Sequence, residues 1–199
     1  MIEPAEVDEE VEIEAPIFRT VGQALHVAYL IGSLPASAKS PLLVIIEDSY
    51  GREEPYEPPS LKGINFGNLS PLEVRGECSM ITGIVERELE GLELDVILAR
   101  YAHGEQRVEA MARVRDYVRP LIPEIAQKAC TRIVAGMYCN KQQTRDLFSS
   151  YEIARTVGGV SASTIKRAKK EAKKIVFEVE VSAIGKLQSL FVAGGISGY

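Results

Sequence analysis

The sequence predicts a mainly α-helical fold: a multi-helix body, a C-terminal helix-turn-helix and a long final helix. Three observations carry that prediction. Helix-start residues recur at Thr20, Ser70, Ser149 and Ser161, and their side-chain oxygens can accept from the free N–H groups of a first turn. Apolar residues after Ser70 recur at steps of three and four, the period of a helix with one buried face. Strand-like alternation after residue 70 is weak, Phe177 to Val181 being the segment that could form one.

Residues 1–16 hold seven acidic and no basic side chains and end at Pro16. They predict a disordered acidic tail, either solubilising or in contact with a basic surface, the protein's own included. An N-terminal helical unit is expected over residues 17–50. Its first helix starts at Thr20 and runs to about Gly32, with Val21, Leu25, Ala28, Leu30 and Ile31 as apolar residues. His26 lies within it and reads as a packed or surface side chain rather than a ligand. Ser40-Pro41 looks like a cap with proline at the first helical position. The run Leu42 to Ile46 that follows is too short for its period to separate helix from strand, and the cap favours helix. Residues 51–69 are rich in proline and glycine and predict a linker.

The helical body is expected over residues 70–140. Ser70-Pro71-Leu72-Glu73 combines a cap, proline at N1 and a glutamate placed to close a capping box. The helix it opens should reach about Leu89 with Val74, Cys78, Ile81, Ile84 or Val85 and Leu89 on one face. Further helices fit Leu92–Ala102, Glu105–Val118 and Glu124–Tyr138, the Glu105–Val118 run ended by Pro120 and Pro123. The remaining module is residues 141–199. Ser149 and Glu152 predict a second capping box and a short helix ended by Gly158-Gly159, one of them left-handed. Ser161 caps the next helix. Ile165, Ala168, Ala172, Ile175, Val176, Val179, Ala183, Leu187 and Leu190 extend it to about Phe191. A stripe that long needs cover, from the protein's own body or from a second copy as a homodimer. Gly194-Gly195 end that helix, and the tail to Tyr199 reads as mobile.

Charge locates the function. The chain has 199 residues and a formal net charge of −5. Residues 1–60 hold 3 basic and 12 acidic groups, net −9, whereas residues 141–176 hold 9 and 3, net +6. The basic segment coincides with the helix-turn-helix, so double-stranded DNA is the expected partner. On the second helix of the motif Ser161, Ala162, Ser163, Lys166, Arg167 and Lys170 face away from the apolar side, as a helix entering the major groove requires. Lys166 and Arg167 are the candidates for bonds to guanine. Ser161, Ser163 and Thr164 can bond phosphates at the helix start. Lys169, Lys173, Lys174, Arg155, Arg145 and Lys141 are candidates for phosphate contacts without sequence preference. The acidic end should lower non-specific attraction to DNA. Deleting residues 1–15 is therefore expected to tighten binding to random duplex, and unchanged binding would leave the tail without this role.

The string Glu-Ile-Ala-Arg-Thr-Val-Gly-Gly-Val-Ser-Ala-Ser-Thr-Ile-Lys-Arg, residues 152–167, resembles the helix-turn-helix of sigma-factor region 4 and of many bacterial and phage transcription regulators. The usual pattern has one glycine before the Val-Ser step, where this chain has Gly158 and Gly159. The resemblance covers the basic segment around this string, about 30 of the 199 residues. The layout of the rest also resembles phage late-gene antitermination proteins of the Q type, which implies that the helical body contacts RNA polymerase or a sigma factor. Two other readings use the same motif: a phage DNA-packaging adaptor like a small terminase subunit, which would form rings, and a protein-interaction module.

Other classes are disfavoured. The strongly apolar run Leu42 to Ile46 is far short of the about 20 residues a membrane span needs. The acidic N-terminus is unlike a secretory signal, so a cytoplasmic protein of a bacterial or phage-infected cell is expected. Cys78, Cys130 and Cys139 are odd in number and lack C-x-x-C spacing, which argues against a disulfide framework. With only His26 and His103 no zinc-ligand spacing is present, and no cofactor motif appears. Glu86, Glu88, Glu90, Glu93 and Asp95 read as an exposed helix face and the loop after it, not a magnesium site. No catalytic set is recognised, so the chain is expected not to be an enzyme.

Overall fold

The computed structural model describes residues 16–35, 63–139 and 146–198. The described residues are mainly helical, with no strand among them. The elements are α1 (Val21–Gly32), α2 (Pro71–Glu88), α3 (Gly91–Tyr101), α4 (Gly104–Val118), a 3-10 turn (Arg119–Leu121), α5 (Gln127–Tyr138), α6 (Ser150–Val157) and α7 (Ala162–Ala193). Ser40 to Ile46, most of the expected linker, the acidic tail before Pro16, and Lys141 and Arg145 lie outside the described residues.

α1 is the central helix. The sequence suggests one apolar face, but ten of its twelve residues, Gln23 and His26 among them, are buried. A helix apolar on nearly every side is one that other helices surround, and α2, α3 and α7 all pack on it. Its start is fixed locally. Thr20 Oγ1 accepts from Gln23 N at 3.2 Å, and Gln23 Oε1 accepts from Arg19 N at 2.8 Å. Its end is closed from α2, where the Arg75 guanidinium donates to the carbonyls of Leu34 and Pro35 at 3.4 and 2.9 Å. Leu34 and Pro35 lie just past the end of α1, so Arg75 ties the chain leaving that helix to α2.

α2 begins as expected, with both arms of the Ser70–Glu73 capping box formed. Val74, Cys78, Ile81 and Val85 are its buried residues, and Leu89, buried too, caps its end. α4 buries Ala110, Val114 and Val118 at steps of four. α5 starts at Gln127 rather than Glu124. Ile122 and Ile125 lie in the turn before it, yet both are 1% exposed, so these two residues plug the core from outside any helix.

α7 is one helix of 32 residues, about 48 Å long at 1.5 Å per residue. Phe177 to Val181 belongs to it and forms no strand. Its buried stripe is Ile165, Ala168, Ala172, Val176, Ala183, Leu187 and Phe191. Leu190 is 37% exposed and Phe191 takes its place in the period. The stripe belongs to the same core as α1 to α5, so the protein's own body covers it. Two ion pairs tie α7 to α3: Arg100 Nε to Glu180 Oε1 at 2.5 Å and Lys186 Nζ to Glu93 Oε2 at 2.6 Å. The residues after α7 are not a free tail. They turn back through Gly194 and Gly195 and pair with the segment before α1, Phe18 N donating to Ile196 O at 3.1 Å and Gly198 N to Phe18 O at 3.0 Å.

Candidate nucleic-acid interface

The basic segment is built on α6, α7 and the turn between them, with α5 behind. Ser149 Oγ accepts from Glu152 N at 3.1 Å and starts α6. The reciprocal arm of the expected capping box is not made. The Glu152 carboxylate instead takes Arg155 in two hydrogen bonds, at 2.9 and 2.7 Å, and the Ser149 amide turns to Asp146 O. The Arg155 hydrogen bond holds the Glu152 carboxyl below its ordinary range. Arg155 is thus exposed but already paired inside α6.

Two glycines make the turn. Gly158 has φ 69 and ψ 165, and Gly159 has φ 71. One left-handed residue is expected from the sequence, and the structure has two, which gives the second glycine a physical reason. Open space surrounds both positions, so their constraint is backbone conformation alone. The Gly158 dihedrals fall in a region essentially reserved for glycine. Gly158→Ala is accordingly expected to cost about 1–3 kcal/mol in urea unfolding, and an unchanged midpoint would show that the turn relaxes at no cost.

The turn delivers Ser161 as the cap of α7. Its Oγ accepts from Thr164 N at 3.2 Å and lies 2.8 Å from Ser163 Oγ. Ser161 and Ser163 are exposed, Ala162 and Thr164 half-buried. Behind them Ile153, Ile165 and Ala168 are fully buried, with Ala154, Val157 and Val160 packed against the same core. Along the outer side Lys166, Arg167, Lys170, Lys173 and Lys174 are all exposed. Steps of four, three and one from Lys166 keep these lysines on one side of the helix. Among the described residues only Lys174 of this set has an acidic partner, Glu178 at 4.0 Å.

Lys169 stands apart from the other candidates. Its ammonium donates to Phe148 O at 2.7 Å, and burial lowers its pKa. It fastens the segment before α6 to α7 instead of sharing the outer face. Gly136 of α5 permits this closeness, since a Cβ there would lie 2.8 Å from Phe148 Cβ. Arg132 of α5 is a cation the sequence reading missed. It reaches Thr156 Oγ1 at 3.3 Å, which sets a further positive group beside α6. Tyr151, 72% exposed in the first turn of α6, was missed too. Only the docking of α5 on α6 reveals Arg132. The Tyr151 signal was one aromatic residue inside a capping motif.

Two residues of the acidic cluster have structural partners, and Asp95 is buried instead of lying on an exposed face. Glu93 holds Lys186 and Ser182, and Asp95 holds Arg113 at 2.6 Å. Among the described residues no group of three or more potential ligands could hold a metal, and no helix is long and apolar enough to cross a membrane. No protein-family model matches the chain, and no curated protein shows significant similarity to it.

Proposed function

We propose that the chain is a sequence-specific double-stranded DNA-binding transcription regulator, with the N-terminal half of α7 as its reading element. The observation that supports this best is the exposed cationic stripe Lys166, Arg167, Lys170, Lys173 and Lys174, on a helix that starts with the exposed side chains of Ser161 and Ser163 after a tight glycine turn. Lys170, Lys173 and Lys174 supply affinity through phosphates, Ser161, Ser163 and Thr164 fix the helix start on the backbone, and Lys166 and Arg167 read base edges. The helical body then carries the contact to RNA polymerase or a sigma factor, as in antitermination at a promoter.

Selection of bound duplexes from a randomised library, followed by titration of the Arg167→Ala variant, tests this reading. Arg167→Ala is expected to lose about 1–3 kcal/mol on the selected site and to relax preference at one base pair. An equal loss on every sequence would make Arg167 a phosphate contact. Failure to enrich any sequence would remove specificity from the proposal.

A further inference from the structure

A cavity of about 490 Å³ lies between α5, Phe148 and the middle of α7, with Arg100 of α3 at its edge. That volume is typical of a small-molecule site, for which roughly 300–1,000 Å³ is usual. One side of its wall is apolar, formed by Ile133, Met137, Phe148, Val176 and Phe177. Phe177 is 60% exposed although it sits in the middle of a docked helix, so a large aromatic surface is open beside the cavity.

The remaining wall is cationic. Lys169, Lys170 and Lys173 line it together with Arg100 and Glu180. Arg100 and Glu180 neutralise each other through two contacts, at 2.5 and 2.6 Å. The three lysines have no acidic partner among the described residues, and the Lys169 ammonium is held in place by Phe148 O. An apolar chamber with three uncompensated ammonium groups suits a ligand with an apolar body and one anionic end. We propose that the cavity binds an amphipathic organic carboxylate, its charged end on Lys170 and Lys173 and its aliphatic or aromatic body against Met137, Phe148 and Phe177. Because Lys170 and Lys173 also belong to the stripe proposed to hold DNA phosphates, an occupied cavity competes with DNA for two cations. That consequence rests on the DNA-binding reading, whereas ligand binding does not.

Cys139 supplies the probe, since it lines the cavity and is half-exposed while Cys78 and Cys130 are buried. The experiment follows maleimide labelling of Cys139 in the full chain with sodium decanoate or decanol, alongside calorimetric titration of each. Decanoate is expected to bind and to slow labelling, decanol to do so far more weakly, and Lys173→Ala to reduce decanoate affinity about tenfold, the loss of one charge-assisted contact. Lys173 is exposed, so the variant keeps the fold. Absent protection, equal effects of the two compounds, or an unchanged affinity in Lys173→Ala would each overturn the proposal. A duplex titration with and without decanoate separates the two claims. Decanoate binding without any duplex binding would sink the DNA reading alone, and duplex binding without decanoate binding would sink the cavity alone.

Discussion

Replacing Lys166, Lys170, Lys173 and Lys174 together by alanine is expected to abolish DNA binding at moderate salt while leaving the fold intact. Each phosphate neutralised releases counterions and contributes about 0.9 to the slope of log K against log salt. The three phosphate contacts of Lys170, Lys173 and Lys174 therefore account for about 2.7 of that slope, equivalent to between two and three orders of magnitude in affinity at 0.1 M salt, and Lys166 adds the loss of a base contact. The fold has no stake in these ammonium groups. All four are exposed, and among the described residues only Lys174 has an acidic partner, at 4.0 Å on the surface. Such a pair is worth little, and alanine is the better helix former. Anisotropy of a labelled duplex from 50 to 300 mM salt reads the slope. A variant with the parent slope would place the binding surface elsewhere.

The second large effect concerns stability. Phe191→Ala should cost about 3–5 kcal/mol, the usual range for emptying a buried aromatic site. Phe191 is fully buried near the far end of α7, and its carbonyl accepts from Ile196 N at 2.8 Å as the chain turns back toward Phe18. Loss of the ring leaves a void where α7 joins the common core. The site is about 36 Å along the helix from Arg167 at 1.5 Å per residue. Per folded molecule, duplex affinity should therefore be unchanged. Urea unfolding gives the stability, and a loss under about 1 kcal/mol, well below that range, would mean that the end of α7 is not docked.

Helix starts were legible because capping is local chemistry. Thr20, Ser70, Ser149 and Ser161 each accept from the amide three residues on. The length of α7 was legible too, because its stripe of small and branched residues keeps a helical period from Ile165 to Leu187. What covers that stripe was not, since cover is a tertiary fact: the body does it, through α3 and its ion pairs to Glu180 and Lys186. The bounds of α1 were legible from its Thr20 cap, but its burial on nearly all sides was not, because Gln23 and His26 look like a polar face in sequence and only the packing of α2, α3 and α7 buries them. The start of α5 was misjudged because Ile122 and Ile125 are core residues placed by a turn, and burial alone does not distinguish a turn from a helix.

The basic face was read correctly as to charge but not as to availability. Lys169 and Arg155 look like their neighbours in sequence, yet one is fastened to Phe148 O and the other to Glu152. The Phe148 carbonyl reaches Lys169 through the packing of the segment before α6 on α7, whereas Glu152 is the neighbour of Arg155 one turn back in α6. Arg132 shows the converse, a cation from a distant segment brought beside α6 by packing.

Photocrosslinking tests the central claim most directly. A benzophenone amino acid replaces Ser163, exposed at the start of α7, or Gln188, exposed near its end, and each protein is irradiated with the selected duplex. The account predicts crosslinks to DNA from position 163 and none from position 188. Crosslinks from position 188 alone, or equal yields from both, would contradict α7's N-terminal half as the reading element.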